Sequence, residues 1–142
     1  MGSEMCIRDR SSSAGRAVRI GGKNNSSGNE TNIMDYVAID TPGNATDFGD
    51  LSTAMEPSGC CSNGTRGLVP GRTGSNQIEY ITIANTGNST DFGDLSEGLA
   101  LIGGASDKTR GVLGGGRDSG GGAVNTIQYI TVATTGLSLI HI

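Results

Sequence analysis

Two triplets, Asp47-Phe48-Gly49 and Asp91-Phe92-Gly93, spell the metal-binding sequence of a protein kinase. That chemistry needs a phosphate loop, a strand lysine and a His-Arg-Asp loop beside the triplet. The chain supplies none of them, and the triplet recurs, so it reads as an aromatic anchor between turn residues. Gly114-Gly115-Gly116-Arg117 and Gly120-Gly121-Gly122 could cradle a phosphate if a helix began directly afterwards and aimed its amides at the anion. The next segment along the chain is instead the strand-like TIQYITV. Asp47 with Asp50, and Asp91 with Asp94, offer oxygen ligands of the kind calcium takes, but one pair per unit falls short of the roughly six to eight that calcium collects. Cys60 and Cys61 are adjacent, where a mutual disulfide is strained. Metal binding would need further thiols or imidazoles at suitable spacing, so they read as ordinary thiols. The one histidine, His141, lies in the last two residues. No catalytic, cofactor-binding or metal-ligating residue is expected, and the chain reads as non-enzymatic.

The two ends belong to a different kind of sequence. Met5-Cys6-Ile7-Arg8-Asp9-Arg10 and Leu137-Ser138-Leu139-Ile140-His141-Ile142 can be encoded by one DNA segment read on opposite strands. The segment looks like a transposon-end adapter used in sequencing libraries. Residues 1–10 and 137–142 are therefore read as adapter-derived and excluded from fold reasoning, leaving 11–136 as the repeat region. Cys6 and His141 leave with them. Glu4 and Asp9 cancel Arg8 and Arg10, so the net charge stays at −4.

The 142 residues include 25 glycines and no tryptophan, and 34% are hydrophobic. The apolar residues gather in short β-branched runs, IEYITIA (78–84) and TIQYITVAT (126–134), between turn-forming stretches. Mild acidity without a basic stripe speaks against nucleic acid. No apolar run approaches the ~20 residues of a membrane-spanning helix.

The positioning framework is a repeat. IMDYVAIDTPGNATDFGDLS (33–52) matches IEYITIANTGNSTDFGDLS (78–96), with Tyr36 and Tyr80 44 residues apart and Phe48 and Phe92 likewise 44 apart. A third copy starts at IQYITVATTG (127–136), bearing Tyr129. Arginine anchors precede each tyrosine, at Arg16, Arg66 and Arg110. Tyrosine to next arginine is 30 residues both times, whereas arginine to tyrosine runs 20, 14 and 19. The length variation sits in Lys23–Thr31, Arg72–Ser75 and Arg117–Ala123, which is how a repeat carries insertions on one side. Each unit is expected to hold four short strands, written in successive copies as 109–114, 125–133, 91–96 and 98–105. In IEYITI, Ile78, Tyr80 and Thr82 face one way, and Glu79, Ile81 and Ile83 the other. Apolar groups on both faces predict sheets packed between copies of themselves.

These features resemble kelch repeats, the galactose-oxidase-like class of β-propeller. The matching residues are the glycine cluster at Gly114 and Gly115, then Tyr36, Tyr80 or Tyr129, then Phe48 or Phe92, and the arginine opening the next unit. The family usually has tryptophan at the Phe48 and Phe92 positions. The TGNxTDFGDL units are also similar to repeats in structural proteins of marine phages and bacteria. The resemblance implies an all-β fold: an open fragment of a kelch-like β-propeller, about two and a half four-stranded blades. Because Arg16, Arg66 and Arg110 recur at one repeat position, they are expected to be structural, pairing with a carboxylate in the adjoining blade or facing the central channel. The expected function is a scaffold binding a protein or glycan through its variable loops, on a virion or cell surface. The alternative is a propeller enzyme, an oxidase or glycan-active enzyme, whose active site lies in other blades.

Overall fold

Short β-branched runs bounded by Gly, Asn, Asp and Ser leave no stretch long enough for an amphipathic helix, and the described residues form strands and turns alone. The computed structural model describes residues 10–13, 15–24, 26–72 and 74–136. Residues 1–9 and 137–142, which read as adapter-derived, lie outside them. Arg10, expected to be the last residue of an adapter-derived segment, opens the first strand opposite Arg19.

Three antiparallel sheets succeed one another along the chain. The first holds β1 (Arg10–Ser13), β2 (Arg16–Lys23), β3 (Glu30–Ala38) and β4 (Thr46–Asp50). The middle sheet holds β5 (Cys61–Ser62), β6 (Arg66–Arg72), β7 (Ser75–Thr82) and β8 (Thr90–Asp94). The third holds β9 (Gly103–Ser106), β10 (Arg110–Gly114) and β11 (Ile127–Thr131). Each sheet is a meander in which every strand pairs with its sequence neighbour. None of the sheets closes on itself.

One expectation is corrected by the pairing. The segment 98–105, expected as the fourth strand of the preceding unit, belongs to the next one. Its paired part, β9, hydrogen-bonds to β10, with Val112 opposite Ala105 and Leu113 opposite Gly104. β5 does the same ahead of β6, with Cys61 opposite Leu68. A tight turn joins each of these strands to the arginine strand after it, which makes a hairpin the local choice. In the middle sheet Asn63 builds that turn, its side chain accepting from the amides of Thr65 and Arg66. Asp107 does so in the third sheet, from Thr109 and Arg110. The sheet boundary therefore falls between β8 and β9.

The sheets lie face to face with one apolar layer in each gap. Val18, Ile20, Met34 and Phe48 of the first sheet meet Val69, Ile81 and Ile83 of the middle one. Leu68, Ile78 and Phe92, on the other side of the middle sheet, meet Leu113, Ile130 and Val132 of the third. The predicted division of IEYITI between two faces holds, with Ile78 in one layer and Ile81 in the other. Cys60 and Cys61 obey the same alternation. Both are buried, one in each layer, and no disulfide joins them. Consecutive residues on opposite faces of a sheet aim their sulfurs apart.

Candidate functional site

The recurrent arginine and tyrosine come together as a stack on each sheet, at the two sheet junctions and again on the outer face of the third sheet. The guanidinium of Arg16 lies 4.5 Å from the Tyr36 ring centroid, that of Arg66 4.7 Å from Tyr80, and that of Arg110 4.8 Å from Tyr129. Arginine and tyrosine sit near the same end of paired strands two residues out of register, with Arg66 opposite Thr82 and Leu68 opposite Tyr80. Each stack is a cation–π contact. Tyr36 in turn meets Phe48 edge to face at 6.1 Å, and Tyr80 meets Phe92 in the same pose at 6.1 Å.

Held in this way, the arginines reach across the gap. Arg16 donates to the carbonyl of Ala84 at 2.8 Å, and Arg66 to that of Ala133 at 2.9 Å. For Arg16 and Arg66 the partner in the adjoining sheet is thus a backbone carbonyl, where a carboxylate was one expectation. The end of each tyrosine strand leaves those carbonyls outside its own ladder, and a planar guanidinium supplies several donors at fixed angles. Gly114 closes β10 opposite Gly103 and Ile127. Gly115 comes next at φ 66°, and its amide donates to Thr126 at 2.9 Å.

Two further recurrent contacts do not stand out in the sequence. Glu79 is buried between the first and middle sheets. Its carboxylate accepts from the Ser52 amide at 3.1 Å and from the hydroxyls of Ser52 and Ser89. Gln128, one repeat later, accepts from the Ser96 amide at 2.8 Å. Asn32 and Asn76 hold the exits of β4 and β8, donating to Leu51 and Leu95. Asparagine stands four residues before each tyrosine, at 32, 76 and 125, and that spacing was the available signal.

The aspartates of the two triplets lie in β4 and β8, Asp91 within the segment expected as a strand. Among the described residues no group of three metal-ligating side chains converges. The glycine run 114–116 leads into a bridge between Arg117 and Ala123, with no helix after it.

The variable stretches, with the recurrent arginines Arg72 and Arg117 that open two of them, converge at the opposite edge from the stacks. An open cleft of about 580 Å³ is lined by Glu30, Arg72 and residues 117–121, one contribution from each variable loop region. The links between sheets add Glu56, Pro57 and Ser58, then Ala100 and Leu101. Its volume is that of a small-ligand or side-chain pocket. Arg72 and Glu30 face each other across adjacent sheets at 3.8 Å. Arg117 is fixed by a two-way backbone bridge to Ala100, at 2.8 and 2.9 Å. The Asp118 carboxylate accepts from the amides of Gly120 and Gly122, both at 2.9 Å, so the 118–122 loop is folded around one side chain. Leu101 is exposed and has φ 56°, the one non-glycine residue with positive φ among those described. Such a backbone costs energy for a side chain of its size and persists where the surroundings impose it.

The cleft therefore presents two arginines, three carboxylates, hydroxyls and a single raised leucine on a fixed frame. These groups can bind and orient a polar ligand. Comparison with protein families and with curated proteins gives no match.

Proposed function

We propose that this chain is part of a non-enzymatic repeat scaffold of the kelch-like β-propeller kind, whose variable loops bind a protein or glycan. The observation that carries the reading is the shared cleft. Three loop regions of unequal length, one per repeat, each send residues to it, while the arginine–tyrosine stacks lie at the other edge of the sheets. Binding residues on loops above a rigid framework are the usual division of labour. The meander sheets stacked on both faces support the propeller-like reading of the architecture.

A glycan array probed with the full chain tests it, alongside Arg117→Ala and a variant with 118–122 replaced by Gly-Ser. Binding to a defined set of glycans is expected, falling at least about tenfold in both variants with unchanged circular dichroism. Peptide-library display is the parallel probe for a protein ligand. Binding that both loop variants retain in full would overturn the assignment.

A further inference from the structure

The two outer faces of the stack match each other in the way that the two inner gaps are built. In the gap between the first and middle sheets, Val18 and Met34 with Arg16 over Tyr36 meet Ile81 and Ile83. In the next gap, Leu68 and Ile78 with Arg66 over Tyr80 meet Ile130 and Val132. The free face of the third sheet repeats the first half of this pattern. Val112 and Ile127 stand where Leu68 and Ile78 stand, and Arg110 already lies over Tyr129. The free face of the first sheet repeats the second half, with Val37 and Ile39 in the places of Ile81 and Ile83. Their exposure is that of uncovered counterparts. Ile39 is 55% exposed against 0% for Ile83, and Val112 is 42% exposed against 0% for Leu68.

We propose that these two faces dock on one another between copies of this chain, head to tail, forming a third gap of the same construction. Continuity with two existing junctions sets the occupant, since each free face is complementary to the other and not to itself. Polar groups agree. Arg16 and Arg66 each reach a carbonyl one residue beyond the position matching Ile39, at Ala84 and Ala133. The matching residue on the first sheet is Asp40, which is exposed and adds a carboxylate to that carbonyl. Arg110 of one copy, pre-set on Tyr129, meets Asp40 of the next. Arg19 and Asp35 replace Val69 and Glu79 on this face and bridge each other, so the centre of the face carries no net charge. A contact between two unlike faces is heterologous and extends into a chain of copies unless the rotation closes a ring. The proposal is independent of the loop cleft.

Light scattering behind size exclusion tests it on the full chain. The mass is expected to rise above 14.4 kDa with concentration. Val37→Asp and Val112→Asp, both at exposed positions, are each expected to weaken association at least about 100-fold, by forcing an unpaired charge into an apolar contact. Mixing the two variants leaves one intact face of each kind, and a dimer that grows no further is expected. A wild-type chain that stays at the monomer mass at all concentrations overturns the proposal. So does either variant that still associates like the wild type, because that marks a face binding to itself. If circular dichroism shows either variant unfolded, Arg110→Glu and Asp40→Arg replace them. Each alone is expected to weaken association and their mixture to restore it, and failure of the mixture to restore it counts against the proposal.

Discussion

Glu79 is the residue on which a junction depends most locally. Its buried carboxylate receives one amide and two hydroxyls from the neighbouring sheet and its own, and Gln128 shows that an amide side chain can fill the same place. Glu79→Gln is therefore expected to lie within about 1 kcal/mol of the wild type in urea unfolding. Glu79→Leu, which removes the acceptor of the Ser52 hydroxyl and leaves the Ser52 amide and the Ser89 hydroxyl only their longer contacts to Ser89 and Asp50, is expected to cost about 1–3 kcal/mol. Asp107 makes a different kind of prediction. Backbone amides of Arg110 and Thr109 donate to its exposed carboxylate and hold its pKa below the ordinary aspartate value of 3.8. A depressed carboxylate lends stability that is fully present above the unfolded value and is lost as pH falls through the folded one. The β9–β10 turn is thus expected to loosen only below about pH 4. A carboxyl-carbon NMR titration of Asp107 with a midpoint at or above 3.8 would contradict this. Neither residue stands out in the sequence as a contact. Glu79 reads there as one polar member of an alternating strand, because its serine partners lie 10 and 27 residues away.

Strand positions and facing were legible because they are local. The runs around Tyr36, Tyr80 and Tyr129 became β3, β7 and β11, and the period-two pattern placed Ile78 and Ile81 in opposite gaps. The partner of 98–105 was not legible, since a strand's sheet is decided by pairing rather than by composition. The cleft was legible only as three variable loops. Their convergence, and the part played by Glu56–Ser58 and Leu101, depends on how the sheets stack. Stacking also explains one glycine of the DFG triplet. Gly49 has φ 138°, and a side-chain carbon there would lie 2.4 Å from the carbonyl oxygen of Gly87 in the next sheet; Gly93 meets Gly136 in the same way. Gly49→Ala is expected to cost at least about 3 kcal/mol, combining backbone strain with a clash against backbone. Gly28→Ala, at φ 69° with nothing within 4 Å, is expected to cost about 1 kcal/mol. Equal losses in the two variants would remove the close approach of the sheets as the reason for the triplet.

For the whole chain, stability is set by neighbours rather than by any one sheet. An array in which each unit contacts only the next behaves as a sum of unit and junction terms, and only the middle sheet has both faces covered. Native-state hydrogen exchange tests that claim most directly, in a chain carrying Val37→Asp and Val112→Asp so that the outer faces stay uncovered. The slowest amides of β6 and β7 are expected to exchange at least about tenfold more slowly than the slowest of β2–β3 and of β10–β11. Protection that is equal across the three sheets, or greatest at either end, would contradict it.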